Sequence, residues 1–115
     1  MQNNKKNLIV ELSFNFAVKS VKYAEKLETE RRYVIARQFL RSSTGIGASI
    51  REAQNAESKT DFIHKMKIAA KEADETEYWL MICKEARYAD CEELLADCGI
   101  ISKVLSKIIS SSKSK

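Results

Sequence analysis

No proline interrupts the 115 residues of this chain, and glycine occurs only three times. Because these two residues most strongly break or weaken a helix, their scarcity favours long helices joined by short turns. Much of the chain consists of Ala, Glu, Lys, Leu, Arg and Ile, which suit helices. A chain of this length forms one modest hydrophobic core, so the sequence predicts a single all-α domain over residues 1–115.

Uncharged stretches are short throughout the chain. The longest, residues 42–50, falls well below the roughly 20 apolar residues that a membrane span requires. The N-terminal apolar stretch contains Glu11 and Asn15 and has no cleavage site, so we expect a soluble, cytoplasmic protein. The three cysteines include no CxxC pair, and an odd number argues against a disulfide framework or a zinc site. We therefore expect reduced, buried thiols.

Hydrophobic periodicity divides the chain into four helices. The predicted helices span about residues 8–28, 32–55, 59–88 and 90–110, followed by a frayed, disordered tail at 111–115. Ser58 with Asp61, and Asp90 with Glu93, have the spacing of capping boxes and mark the starts of the third and fourth helices. Because short turns join neighbouring helices in opposite directions, the expected fold is an antiparallel up-down-up-down four-helix bundle.

The second predicted helix contains a run of small residues that includes Gly45 and Gly47. Glycine inside a helix costs about 1 kcal/mol relative to alanine, so we interpret these glycines as points of close contact between helices. The same helix has an apolar sector wider than one core face requires. The arc with Ser43 and Ile50 is predicted to face inward. The residues predicted to face another subunit or the next helix are Phe39, Ile46 and Ala53.

Apolar residues also define faces on the first and third helices. The predicted core face of the first helix comprises Leu12, Phe16, Val21, Ala24 and Leu27, widened by Phe14, Val18 and Tyr23. The third helix has a second apolar face beside its core stripe, and a single tryptophan on such a face typically anchors an interface. The candidate oligomer-interface residues are Phe39, Ile46, Ile68, Glu75, Trp79 and Ile82.

The residue patterns of enzymes are missing from the sequence. A di-iron site in a helix bundle requires two Glu-x-x-His pairs, and His64 is the single histidine. No serine or cysteine stands in a GxSxG or Cys-His arrangement, and Gly45 and Gly47 lack the spacing of a phosphate loop. We therefore predict that the protein is not an enzyme and requires no catalytic residue, metal, cofactor or small-molecule substrate.

Charge is distributed unevenly along the chain. Residues 1–56 carry ten Lys/Arg against five Glu, whereas residues 57–99 carry six Lys/Arg against eleven acidic residues. The basic residues of the first two helices form either a surface for phosphates or an ordinary solvated helix face, and spacing alone leaves both alternatives open. The candidate nucleic-acid-binding residues are Lys19, Lys22, Lys26, Arg31, Arg32, Arg37, Arg41 and Arg51.

Several segments resemble the signature of one protein family. They are RSSTGIGASIREA at 41–53, DFIHKMKIAAKEA at 61–73 and ETEYWL at 75–80, with further similarity in LIVELSFNFAVKSVKYAEKL at 8–27. They are similar to the four-helix-bundle proteins encoded in intervening sequences of bacterial 23S rRNA genes. The accessory variability determinant proteins of diversity-generating retroelements share that fold. Gly45 departs from the pattern, in which serine is more usual, and implies a slightly more flexible helix there.

The resemblance implies a homopentameric ring or barrel with a basic surface proposed to bind nucleic acid. In the retroelement relatives, the partner is a reverse transcriptase together with its RNA. Two hypotheses follow for this chain. In the first, a non-enzymatic homo-oligomer binds RNA phosphates through Arg37, Arg41, Arg51 and nearby lysines. In the second, the protein is an interaction scaffold or accessory subunit, for example for a reverse transcriptase, without direct nucleic-acid binding.

Overall fold

The computed structural model describes residues 4–113, with side chains described from residue 8 onward. Four α-helices dominate this part of the chain, and it contains no strand. They are α1 (Asn4–Thr29), α2 (Tyr33–Ala53), α3 (Lys59–Glu85) and α4 (Glu92–Lys113). The prediction of an all-α four-helix protein is confirmed.

Helix ends differ from the predicted ends by a few residues. The α1 helix begins at Asn4 instead of residue 8, and α2 ends at Ala53 instead of residue 55. The α4 helix continues to Lys113, so residues 111–113 of the predicted tail are helical, whereas 114 and 115 lie outside the described residues. No proline and no glycine after Gly99 interrupts α4, which accounts for its greater length.

The C-terminal ends of α1 and α3 form the same hydrogen-bonded cap. The backbone N–H of Arg32 donates to the Leu27 carbonyl at 2.8 Å, and that of Tyr88 donates to the Cys83 carbonyl at 2.9 Å. Each bond is the six-to-one bond of a Schellman motif. Arginines hold the left-handed position before these donors, with φ angles of 65° at residue 31 and 61° at residue 87. This conformation ends α3 at Glu85, three residues earlier than predicted.

Side chains cap the N-terminal ends of α3 and α4. The Ser58 hydroxyl accepts a hydrogen bond from the Asp61 backbone N–H at 3.0 Å, as the capping-box spacing predicts. The Asp61 carboxylate accepts from the Glu57 backbone N–H at 3.1 Å, and this bond, followed by that from Lys65, lowers the pKa of Asp61. At α4, Asp90 accepts from the Glu92 backbone N–H at 3.1 Å. This bond to the first residue of α4 differs from the predicted capping box, in which the Glu93 backbone N–H would be the donor.

Contacts between neighbouring helices establish their relative directions. The contacting pairs are Ser13–Gly47 and Tyr23–Phe39 for α1 and α2, Arg41–Glu75 and Gly45–Glu72 for α2 and α3, and Ala73–Cys98 and Leu80–Cys91 for α3 and α4. Rising residue numbers on one helix meet falling numbers on the next, so successive helices run antiparallel. The α4 helix returns to contact α1. Within the described residues, the diagonal pairs α1–α3 and α2–α4 have no Cα atoms within 8 Å, so the bundle is square in section.

Two serines occupy the interior face of α1. Ser13 and Ser20 are 2% and 0% exposed, and their hydroxyls donate to the carbonyls of Val10 and Phe16 in the same helix. A small side chain at these positions lets the neighbouring helix approach, while the internal hydrogen bond satisfies the buried hydroxyl. The interior of α1 is therefore partly built from residues that a hydrophobic pattern does not select.

Exposed apolar side chains consequently lie on the outer face of α1. Phe14, Val18 and Val21 are 62%, 43% and 43% exposed, so their predicted place on the core face is wrong. Tyr23, predicted beside them, is buried, and its hydroxyl donates to the Ala89 carbonyl at 2.6 Å. The two serines take the core positions that the pattern had given to these apolar residues.

The α2 helix packs between α1 and α3 and buries a wide apolar sector in doing so. Phe39, Ile46 and Ala53 are 0%, 0% and 2% exposed within a single chain. The prediction that Phe39 and Ile46 belong to an oligomer interface is therefore wrong. Like every helix of this bundle, α2 has two neighbours, and burial against both accounts for its wide apolar sector without a second subunit.

The two glycines of α2 approach different neighbouring helices. A Cβ atom on Gly47 would lie 3.5 Å from the backbone carbonyl oxygen of Ser13 on α1. A Cβ atom on Gly45 would overlap the carboxylate of Glu72 on α3. Both positions are thus close contacts between helices, as their small size predicts, and Gly45 leaves room for a charged side chain.

The third glycine offers a test of helix propensity. A Cβ atom on Gly99, in the interior of α4, would have no neighbouring atom within 4 Å. We expect Gly99→Ala to raise the free energy of unfolding by about 1 kcal/mol, because alanine has the higher helix propensity and meets no clash. Gly45→Ala is the matched control and should gain less, since the Glu72 side chain must move. Urea denaturation followed by circular dichroism measures both, and equal gains would contradict this account.

Candidate nucleic-acid interface

The eight basic residues singled out in the sequence occupy different environments. Lys19 lies at the seam between α1 and α4, where its ammonium group pairs with Glu93 and, at 2.8 Å, with Asp97. These hydrogen bonds, from Asp97 first and Glu93 second, raise the pKa of Lys19. Because two carboxylates offset its charge, Lys19 is poorly suited to bind a phosphate.

Arg41 belongs to a cluster of charges between α2 and α3. Its guanidinium donates to Glu75, lies 3.8 Å from the Glu72 carboxylate and reaches the Gln38 side-chain oxygen at 3.3 Å. The Trp79 indole N–H donates to the same Glu75 carboxylate at 3.2 Å. Arg41 is therefore neutralised within the chain, unlike Arg37 and Arg51 of the same predicted phosphate-binding set.

The two arginines of the α1–α2 connection, Arg31 and Arg32, both take part in the local structure. The Arg32 guanidinium lies over the Tyr88 ring, 4.3 Å from its centroid, and so links this connection to the one between α3 and α4. Arg31 occupies the left-handed cap position described above and is exposed. Of the two, Arg31 is the freer to meet a ligand.

Five of the candidates are exposed and make neither an ion pair nor a ring contact among the described residues. We call this set the cationic face, and it consists of Lys22, Lys26, Arg31, Arg37 and Arg51. All belong to α1, α2 or the connection between them. Arg37 and Arg51 share one side of α2 and are separated by roughly 21 Å along the helix axis. The structure thus places these unpaired cations on one half of the bundle, with Lys22 and Lys26 on the side of α1 from which Lys19 reaches α4.

The Glu72 carboxyl group titrates differently from an exposed carboxyl. Burial first, and the charge of Glu75 second, raise the pKa of Glu72, while Arg41 partly opposes them. An acid whose pKa is higher in the folded protein destabilises the fold at neutral pH, and this penalty disappears as the pH falls through the folded pKa to below the unfolded value of 4.5.

Glu72→Gln tests this sign. Because glutamine resembles the protonated carboxyl, we expect the variant to be more stable than the natural chain at pH 7, with the difference vanishing below about pH 4.5. Urea denaturation across this pH range measures the difference. Glu77→Gln, an exposed change on the same helix, is the control, and a stability loss in Glu72→Gln at pH 7 would show that the Arg41 contact outweighs burial.

Four candidate interface residues lie on the outer side of α3, next to this cluster. Ile68 is 38% exposed, and Glu75, Trp79 and Ile82 are half-buried. The Trp79 ring contacts Tyr78 edge to face, with ring centroids 5.3 Å apart, and Tyr78 is itself 58% exposed. A partly open aromatic and aliphatic surface therefore exists on α3, whereas Phe39 and Ile46 contribute nothing to it.

The three thiols are unsuited to nucleophilic chemistry. Cys83, Cys91 and Cys98 are free and 0%, 3% and 1% exposed, as expected from the sequence. Burial raises the pKa of each thiol, that of Cys98 to about 12. A thiol held neutral in this way is a core residue.

The hydrophobic pattern misplaced one large aromatic residue of α1, which is exposed. Phe14 is 62% exposed beside the α2 residues Thr44, Ala48 and Arg51. A signal for its position exists in the sequence, because the set Ile9, Ser13, Phe16, Ser20, Tyr23 and Leu27 alternates between spacings of three and four once serine is accepted as an interior residue. Phe14 falls outside that series.

Fold and surface together define a class: an all-α, square four-helix bundle with a cationic face on its first two helices. The family model of the 23S rRNA-intervening sequence protein matches residues 5–107, and the chain belongs to that family. No curated protein matches the chain.

A solved structure supports the family and the fold. It is the crystal structure of a protein of unknown function from the S23 ribosomal protein family of Bacteroides thetaiotaomicron. The two sequences are 43% identical, the match covers 92% of this chain and 98% of the other, and the TM-score is 0.88. Between residues 4 and 113, no helix is long and apolar enough to cross a membrane.

Proposed function

We propose that this protein is a non-enzymatic homo-oligomer that binds RNA phosphates through the cationic face. The observation that carries the proposal is the contrast among the basic residues. Lys19 and Arg41 are paired with carboxylates, while Lys22, Arg37 and Arg51 remain exposed without an ion pair in the described part of the chain. When unpaired cations contact phosphates, the counterions condensed on the nucleic acid are released, and this release favours binding.

The distribution of charge over the bundle supports the same function. Residues 1–56, which include α1 and α2, carry twice as many basic as acidic residues, and residues 57–99 carry the opposite excess. A polyanion is therefore attracted to one half of the molecule and repelled by much of the other. Contacts of this kind position a nucleic acid without reading its bases.

Self-association is the second part of the proposal. Ile68, Tyr78 and Trp79 leave apolar surface open on α3, and such a surface is suited to a second copy of the chain. An oligomer would also present several cationic faces to one RNA, which strengthens binding through multivalency. Light scattering checks this part directly, because a monomer has a mass of 13.1 kDa.

The test of RNA binding is a matched pair of charge reversals. Arg37→Glu with Arg51→Glu removes two unpaired cations from the cationic face, and Lys103→Glu with Lys107→Glu makes the same change in net charge on exposed positions of α4. Binding of a fluorescent 23S rRNA stem-loop is measured by anisotropy over a range of salt concentrations. We expect the first pair to weaken binding roughly 10- to 100-fold and to reduce the salt slope by about 1.4 to 1.8, and the second pair to have little effect.

Arg41 is unsuitable for this test because its reversal would place three carboxylates together. Equal effects of the two double variants would reduce the binding to overall charge and contradict a defined face. Failure of the natural chain to retain the stem-loop at low salt would sink the RNA proposal altogether.

The alternative, a protein-interaction scaffold or accessory subunit, is favoured by the open apolar surface on α3. Under that function, Trp79→Ala should disrupt the oligomer or its complex with a partner such as a reverse transcriptase, and reversal of Arg37 and Arg51 should leave both intact. Because both functions use α3 for association, they differ in whether the natural chain binds the RNA stem-loop and loses that binding when Arg37 and Arg51 are reversed.

A further inference from the structure

A cavity of about 240 Å³ opens on the outer side of the α1–α2 seam. Its walls include Val10 and Phe14 of α1 and Thr44, Gly47 and Ala48 of α2, with Arg51 at the same site. The cavity exists because the α2 side chains here are short where the two helices are close. Its volume is several times the roughly 30 Å³ that one water molecule occupies, so a planar ring has room.

Phe14 gives this cavity an open aromatic surface. The residue is 62% exposed, and Val18, one helical turn further along α1, is 43% exposed. An aromatic side chain in water gains from any flat apolar partner that covers it. Ser13, its neighbour in sequence, is buried, so the exposure of Phe14 follows from its position on the helix and leaves the core complete.

The charges around the cavity select the kind of partner. Arg51 lines it, is exposed and makes no ion pair with any residue the structure describes. No carboxylate stands among the described residues of the lining. A ligand that joins a flat ring to a negative group satisfies both features, and a nucleotide of an RNA strand is such a ligand.

We propose that this cavity seats an unpaired nucleobase of RNA, stacked on Phe14, with an adjacent phosphate on Arg51. The proposal rests on the proposed RNA-binding function and makes it more specific. Bases in an A-form duplex are stacked within the helix and cannot enter a cavity on a protein surface. The protein therefore binds single-stranded segments, loops or bulges more tightly than a continuous duplex.

The experiment compares two RNA probes of equal length, an unstructured 12-nucleotide strand with one 2-aminopurine and a fully paired 12-base-pair duplex. Phe14→Ala removes the stacking surface, and Ala48→Leu fills the cavity from an exposed position. Ile100→Ala, at an exposed apolar residue on α4, is the control. We expect both cavity variants to weaken binding of the single strand roughly 5- to 150-fold, to leave duplex binding unchanged and to remove the 2-aminopurine fluorescence change.

The outcomes separate this proposal from the function on which it depends. If Phe14→Ala and Ala48→Leu bind the single strand as the natural chain does, while reversal of Arg37 and Arg51 abolishes binding, the base site is wrong and RNA binding stands. If the natural chain binds neither probe at low salt, the RNA function itself fails. If the cavity variants lower the mass measured by light scattering, the cavity is a protein contact and the base site is overturned.

Discussion

Phe39→Ala is expected to lower the free energy of unfolding by about 3–5 kcal/mol. The Phe39 side chain is 0% exposed, and its ring packs edge to face against Tyr23 with centroids 5.4 Å apart. Truncation leaves a cavity between α1 and α2 that rigid neighbouring helices fill only in part. Because domains of this size have a total stability of about 5–15 kcal/mol, the variant will be largely destabilised at physiological temperature.

The control for this prediction is the same chemical change on the surface. Phe14→Ala removes an equal side chain from a position that is 62% exposed, and its effect on stability should stay below about 1 kcal/mol. Urea denaturation at two protein concentrations separates the core from an interface, since an interface contribution depends on concentration. A Phe39→Ala protein that kept its protomer stability but dissociated would restore Phe39 to the oligomer interface.

Thiol reactivity is expected to be almost absent in the folded protein. Burial raises the pKa of Cys98 from 9.0 to about 12, so its thiolate fraction at pH 8 falls about 10³-fold. The same burial excludes the reagent, and the neutral Sγ–H groups of Cys91 and Cys98 donate to the carbonyls of Leu80 and Ala73. Iodoacetamide should therefore modify all three cysteines in urea and none of them in buffer over the same time.

An engineered thiol calibrates that measurement. Ile100→Cys places a cysteine at a position where the natural side chain is 50% exposed, and this single thiol should react at the rate of a free cysteine. Mass spectrometry counts the modified residues. Rapid labelling of Cys98 without denaturant would mean that α3 and α4 separate frequently in the native state.

The existence of the helices could be predicted from the sequence, because it depends on local properties. Chain-wide absence of proline, two capping signals and apolar periodicity are all features of neighbouring residues. The exact ends were less accessible, since Arg31 and Arg87 end their helices in a left-handed conformation more typical of glycine. A pattern search that expects glycine at this position extends α3 too far.

Which apolar residues face the core required knowledge of the neighbours. Ser13 and Ser20 are polar in type yet buried, and their hydroxyls bond within α1. A search for apolar residues alone therefore predicts the wrong core face for α1 and places the exposed Phe14 on it. On α2, the apolar pattern predicts Phe39 and Ile46 at an oligomer interface, whereas contact with α1 and α3 buries both residues within one chain.

The candidate site was predictable in outline only. Ten basic residues in the first half of the chain indicated a cationic surface. Which of them remain without an ion pair depends on which residues face each other across neighbouring helices. Arg41 pairs with Glu75, 34 positions away in sequence, and Lys19 pairs with Asp97, 78 positions away. Spacing within one helix carries no information on such pairs.

The square arrangement of the helices also bears on how the chain folds. Three of its four helix contacts join successive helices and need only short turns to form, so they carry little loop-closure entropy. The contact between α1 and α4 must close a loop of more than 70 residues, as in the bond from Lys19 to Asp97. Because its loop-closure cost is the largest of the four, we expect this seam to form last, with Lys19 pairing with Glu93 and Asp97 across it.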